Sequence, residues 1–137
     1  MFNTNIKILV VDDMPSLRDL LKAYLRRLGY ANISDAVDGN DAFKQLVQAK
    51  DSAAPFEMVI SDWNMPNTTG LELLKKVRAT AEWKNLPFIL LTTESEKDKV
   101  MEAVLAQVSN YMVKPVDEEN LKEKMRKVWE KLNPGKS

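Results

Sequence analysis

The 137 residues contain no cysteine, so neither a disulfide nor a thiolate metal site can form. That suits a reducing compartment. Net charge is absent as well, because twenty basic and twenty acidic residues cancel. The attraction to phosphate backbones that dominates nucleic-acid binding is thereby lost, and no dedicated nucleic-acid partner is expected. Long apolar runs are missing too. Nothing approaches the roughly eighteen residues of a membrane span. The apolar part of the opening MFNTNIKILVVDD is shorter than a signal-peptide core and ends on two aspartates, so it reads as a first strand. A cytoplasmic monomer without a membrane partner is expected.

What is present has the balance of a soluble globular protein, 45% hydrophobic and 29% charged. A chain of this length suits one domain, which buries roughly 68% of the surface its unfolded form exposes and needs no disulfide or structural metal. The expectation is a single domain over residues 1–137, with its core between about residues 5 and 132 and a short tail at 133–137.

Apolar segments and amphipathic segments alternate along the chain. Ile6 to Val11 is a nearly continuous β-branched run, the mark of a strand covered on both faces. Pro15 offers a first helical position, and Leu17, Leu20, Leu21, Tyr24, Leu25 and Leu28 recur at helical spacing until Gly29 closes the helix. The cycle repeats with a strand at Ile33–Ala36, a turn at Asp38-Gly39 and a helix through Ala42, Phe43, Leu46 and Val47. After a loop at 51–56 come a strand at Glu57–Ser61, a turn DWNMPNTTG, and a helix carrying Leu71, Leu73, Leu74 and Val77. Pro87–Thr92 is the fourth strand, Lys97–Gln107 the fourth helix, Asn110–Val113 the fifth strand and Glu118–Leu132 the last helix. Such alternation implies right-handed crossovers, a doubly wound parallel sheet and helices on both faces. In open sheets of this kind, ligands bind beyond the carboxyl ends of the strands.

At those ends stand Asp12 and Asp13 after the first strand, Asp62 after the third, Thr92 and Thr93 after the fourth, and Lys114-Pro115 after the fifth. Close carboxylates raise one another's pKa unless a cation compensates, so a hard divalent metal bound by oxygen is the simplest reading. Magnesium fits, since it takes few carboxylates and keeps its waters; manganese is an alternative. A carboxylate beside such a metal can attack phosphorus and form an acyl phosphate. Asp62 is the candidate nucleophile, Asp12 and Asp13 position the ion, Lys114 pairs with Asp62 and then with a phosphoryl oxygen, and the Thr92 hydroxyl donates to another. Taken singly, each residue has a plainer role. Asp12-Asp13 serves equally as a helix cap, Asp62 as a turn opener, Thr92 as a strand residue, Tyr111 as core and Lys114 as a solvated cation. It is their joint placement that favours chemistry.

The segments VVDD at 10–13, SDWNMPNTTG at 61–70, LTTE at 91–94 and YMVKP at 111–115 resemble the receiver domain of two-component response regulators, over nearly the whole chain. Through Asp62-Trp63-Asn64-Met65-Pro66 the likeness is to its stand-alone chemotaxis members. The resemblance implies a flavodoxin-like α/β fold, five parallel strands in order 2-1-3-4-5 with five helices. It makes Asp62 the phosphoacceptor, makes Asp13, Asp62 and the Asn64 backbone carbonyl direct metal ligands, and leaves Asp12 acting through a metal-bound water. It makes Thr92 and Tyr111 the switch pair and Lys114 the phosphate-binding cation, and it sets Asn64 and Glu94 beside the water that hydrolyses the acyl phosphate. Implied partners are a histidine kinase as phosphodonor, a phosphatase, and a flagellar motor switch protein or other target on the face formed by helix 4, strand 5 and helix 5. Two departures stand out. Ala106-Gln107-Val108 replaces the family's Ala-Gly-Ala, so a position expected at φ > 0 lacks glycine. Val116 replaces an aromatic residue and is expected to loosen the start of the last helix.

Smaller expectations complete the reading. Trp63 is expected at the surface, exposed beside the acceptor or packed there; Val100, Met101, Val104 and Leu105 are expected to serve the core, with any left exposed open to a partner. Lys122, Lys124, Arg126, Lys127 and Lys131 read as a solvated face balanced by Glu118, Glu119, Glu123 and Glu130. The reading adopted is a phosphoacceptor that signals by binding and is not a multiple-turnover enzyme. Its rivals are a phosphorelay or phosphate-sink receiver without motor binding, a metal-dependent hydrolase, for which the chain shows no cap region, and a pseudo-receiver, which the intact set of Asp12, Asp13, Asp62, Thr92 and Lys114 disfavours.

Overall fold

Ile8, Leu9, Val10 and Val11 are all fully buried, and that burial on both sides defines the first strand, β1 (Ile8–Val11). The structure, a computed structural model, describes residues 1–93 and 97–135, with residues 97 and 98 described by their backbone alone. In chain order β1 is followed by α1 (Pro15–Arg27), β2 (Ile33–Ala36), α2 (Gly39–Lys50), β3 (Met58–Asp62), α3 (Gly70–Arg78), β4 (Phe88–Thr92), α4 (Lys97–Leu105), β5 (Asn110–Val113) and α5 (Glu118–Leu132). The five strands form one parallel sheet in the order β2-β1-β3-β4-β5.

Strand alternation divides the core into two layers. Leu9, Val11, Val59, Phe88 and Leu90 face α2 and α3, with Ala103 of α4 closing that side. Ile8, Val10, Met58, Ile60, Ile89, Leu91 and Met112 face α1 and α5, where Leu21, Leu25, Leu121, Met125 and Val128 meet them.

The ends of the elements follow local chemistry. Gly29 at φ 103 lets Tyr30 N–H reach the Leu25 carbonyl at 2.9 Å and its own N–H reach Arg26 at 3.0 Å, which stops α1. Asp38 caps α2 by accepting from Asp41 N–H, and Thr69 with Glu72 forms a capping box at α3. Ile6 is buried but turns away before the sheet begins, its N–H bonded to Asn3, so β1 is shorter than the apolar run. Pro87 has no N–H to give and only its carbonyl pairs, with Val59 at 2.9 Å, so β4 starts at Phe88. A 3-10 turn at Ala81–Trp83, not apparent in the sequence, fills the connection into β4 and buries Trp83 against Phe43.

Several expectations are corrected. Trp63 is not at the surface; it is 4% exposed and belongs to the α2–α3 core layer, with Lys99 Nζ 5.8 Å from its ring centroid. Met101, Val104 and Leu105 are not core but exposed, Leu105 at 78%, because α4 touches the sheet through Ala103. Leu20 and Val47 are likewise exposed at the edges of their helical stripes. Val116 does not loosen the packing: it is buried with Leu121 and Met125, and its carbonyl accepts from Tyr24 OH at 3.4 Å. Gln107 does sit at φ 67, ending α4 two residues short of the expected boundary. Arg78 secures that corner, its guanidinium donating to the carbonyls of Gln107, Trp83 and Leu86 at 2.8–2.9 Å.

Gly70 marks the closest approach of a helix to the site-bearing strand. A Cβ there would stand 2.2 Å from the Asp62 carbonyl oxygen and 2.8 Å from Leu90 Cδ2. The backbone at Asp62 would have to move. Gly70→Ala is therefore expected to destabilise the fold by about 2 kcal/mol or more, the cost of overpacking, although alanine is the better helix former. Urea unfolding checks this, with a lowered midpoint expected at unchanged slope.

Candidate metal and phosphoacceptor site

Parallel pairing brings the carboxyl ends of β1, β3, β4 and β5 to one edge, and the expected residues gather there. Asp12, Asp13 and Asp62 offer carboxylate oxygens that all lie within 4.8 Å of one another. Lys114 Nζ donates to Asp62 Oδ1 at 2.9 Å. Lys114 is placed by its own backbone, whose N–H bonds the Thr92 carbonyl at 2.7 Å, so the cation is tied to the hydroxyl-bearing strand end.

The acids differ in setting. Asp13 is exposed, whereas Asp12 is fully buried and Asp62 is 4% exposed. Asp12 Oδ1 accepts from Met14 N–H at 2.8 Å, while Oδ2 is buried without a hydrogen-bond partner among the described residues. Burial pushes the Asp12 carboxyl up to about 6, against the Met14 hydrogen bond and with repulsion from Asp62. Burial also raises Asp62, opposed chiefly by the hydrogen bond from Lys114.

An orphaned buried oxygen in a cluster of three acids is what a hard divalent cation satisfies, and the all-oxygen donor set fits magnesium. Asp12, Asp13 and Asp62 are the residues that could hold it.

The segment after Asp62 is fastened to α2. Asn67, at φ 69, donates from Nδ2 to Asp38 Oδ2 at 3.1 Å, and buried Thr68 donates to Asn40. Trp63 N–H bonds Leu91 at 3.0 Å and Gly70 N–H bonds Trp63 at 2.9 Å. Asn64 is exposed within this loop, two residues beyond Asp62. Thr92 is 2% exposed, its hydroxyl donating to the Thr93 carbonyl at 3.3 Å. Tyr111 is half-buried against the α2–α3 core layer with Lys124 Nζ 5.3 Å from its ring centroid, so it has a core contact and a solvent edge together. Glu94 lies outside the described residues.

Asn67, Thr68 and Arg18 escaped the reading of the sequence. Asn at a left-handed position within a Pro-containing turn was the available signal for Asn67. Nothing local marks Thr68 or Arg18, whose partners stand in other elements.

A parallel five-stranded sheet with an acidic cluster, a lysine and a threonine at its carboxyl edge defines the class. The family model for the response regulator receiver domain matches residues 8–126, and the chain belongs to that family. Within it the chain is 42% identical over 130 residues to chemotaxis protein CheY-3 of Vibrio cholerae, covering 95% of this chain and 96% of that protein. It is 41% identical over 128 residues to chemotaxis protein CheY of Pseudomonas aeruginosa, covering 93% and 99%. The structure of chemotaxis response regulator CheY4 of Vibrio cholerae superposes with a TM-score of 0.79 at 35% identity, covering 90% of this chain and 98% of that one. The protein is thus a receiver homologous to CheY-type chemotaxis regulators of two-component signalling.

The electrostatics of Asp12 have a measurable sign. An unfolded aspartate titrates near 3.8 and the folded one near 6, so between those values the native state binds more protons and stability falls as pH rises. In metal-free buffer Asp12→Asn, which keeps the acceptor for Met14, should raise stability by about 3 kcal/mol at pH 7.5 and leave it nearly unchanged at pH 4. Urea midpoints of both proteins in chelator at the two pH values check this; an equal difference at both would refute it.

Proposed function

We propose that this receiver accepts a phosphoryl group from a histidine kinase onto Asp62, in a reaction that needs magnesium, and signals by phosphorylation-dependent binding. The observation that carries the proposal is the 2.9 Å pairing of Lys114 with Asp62 inside a three-carboxylate cluster. In that arrangement a bound magnesium ion would neutralise charge on the transferring phosphoryl oxygens. An Asp62 carboxylate oxygen attacks phosphorus as the bond to the donor breaks. Lys114 then exchanges its carboxylate partner for a phosphoryl oxygen, and Thr92 stands at the end of β4 to donate to another. Asp13, Asp62 and the Asn64 carbonyl would bind the ion directly and Asp12 through water, with Asn64 and Glu94 tuning hydrolysis of the acyl phosphate. The protein so read is a phosphoacceptor that assists its own phosphorylation and dephosphorylation.

Phosphorylation would bias the receiver between two states, with Thr92 and Tyr111 as the moving pair and the face of α4, β5 and α5 as the output. The exposure of Met101, Val104 and Leu105 supports this, since isolated surface chemistry would not need three apolar residues on one exposed helix. Homology with the CheY proteins supports the flagellar motor switch as the partner and the cytoplasm as the setting. No helix among the described residues is long and apolar enough to cross a membrane.

Incubation with magnesium and acetyl phosphate should add one phosphoryl group to the intact mass. Chelator or Asp62→Asn should abolish the gain. Motor-switch binding that does not respond to a beryllium fluoride mimic would instead favour a relay or sink receiver. Leu105→Ser and Met101→Ser should each shift stability by less than about 0.5 kcal/mol, as exposed substitutions do, yet weaken mimic-dependent partner binding. Calorimetric titration of the partner reads the second effect and urea unfolding the first.

A further inference from the structure

Arg18 lies in the second turn of α1 and reaches back to the end of β1. Its Nη1 donates to the Asp12 carbonyl at 2.8 Å, and its Nε donates to Asp35 Oδ2 at 3.1 Å. Asp35 is held in turn by Lys22 Nζ at 3.2 Å, and its carbonyl by Gln45 Nε2 at 2.9 Å. The Arg18 side chain is 14% exposed and that of Asp35 36%, so the guanidinium is largely shielded while its carboxylate partner keeps contact with water.

Asp12 is consequently engaged at every polar atom but one. Its N–H donates to the Ala36 carbonyl at 3.1 Å, its carbonyl accepts from Arg18, and its Oδ1 accepts from Met14 N–H. The remaining atom, Oδ2, is the buried oxygen without a partner. Met14 supplies no side-chain cap to α1. Arg18 therefore adds to the Asp12–Met14 hydrogen bond a second side-chain tie between the start of this helix and the strand end bearing both acids.

We infer that Arg18 is a positioning residue for the divalent cation: with Asp35 as its anchor on β2, it holds the turn carrying Asp12 and Asp13 in the orientation that presents their carboxylates to the ion. This rests on the reading of the acidic cluster as a cation site. Groups that orient metal ligands without touching the metal commonly set affinity by about ten-fold or more. Charge alone makes the opposite forecast, because a guanidinium beside a divalent cation repels it. The direction of the effect therefore separates the two accounts.

The experiment is a calorimetric titration of the whole chain with magnesium chloride, with urea midpoints recorded for each variant. Arg18→Lys keeps the charge but not the planar fork that spans Asp12 and Asp35, and its Kd for magnesium should rise about ten-fold. Arg18→Met should weaken binding at least as much although it removes a positive charge. Arg18→Lys decides the matter alone where Arg18→Met does not fold. Binding by Arg18→Lys within about two-fold of the parent, or tighter binding by Arg18→Met, overturns the positioning role. A parent protein that takes up no magnesium overturns the cation site itself, and the inference with it.

Discussion

Gathering the carboxylates of Asp12, Asp13 and Asp62 to within 4.8 Å of one another sets the terms for the rest of the molecule. Two of the three are also withdrawn from water, and both burial and mutual repulsion oppose their ionised forms. Lys114 offsets part of that cost through its contact with Asp62. What it leaves uncompensated is greatest at Asp12, where one buried oxygen has no donor among the described residues. An apolar sheet able to fold without this cluster would be more stable for lacking it; the strain is concentrated at the edge where open parallel sheets bind their ligands.

Holding such a cluster in place requires a rigid frame, and Asp62, Asp12 and Lys114 each have their own. Asp62 ends a strand buried along its length, and the loop beyond it is fastened to α2 by Asn67 and Thr68 while Gly70 admits the close approach of α3. Asp12 is held through Ala36, Met14 and Arg18. Lys114 is tied to Thr92 by a main-chain hydrogen bond. Asp62, Lys114 and Thr92 are thus joined by direct contacts at the ends of β3, β5 and β4.

The fourth helix is less tightly bound. α4 meets the sheet through Ala103, exposes Met101, Val104 and Leu105, and ends at Gln107 in a left-handed conformation that glycine would adopt more easily. Arg78 ties that end to the connection before β4, donating to the carbonyl of Gln107 and to those of Trp83 and Leu86. An element with few buried side chains and an anchored end is suited to small shifts between alternative positions.

Much of the architecture was legible in the chain because it rests on local periodicity. Ile8 to Val11 is apolar at every position because both its faces are covered, α1 stops where Gly29 permits φ > 0, and Asp12, Asp13, Asp62, Thr92 and Lys114 could be read off as strand ends. The strand order and the particular roles of those residues came from family resemblance, not from the residues' own spacing. Tertiary structure alone decided that Trp63 is core, that α4 turns its apolar residues outward, that Val116 packs well and that Asp12, unlike Asp13, is sealed from solvent. It also decided that Arg18, seventeen positions from Asp35 in the chain, meets it across the β1–β2 edge. Periodicity reports which face of an element is apolar; burial and hydrogen bonding depend on what the rest of the chain lays against that face, and this is set by contacts distant in sequence.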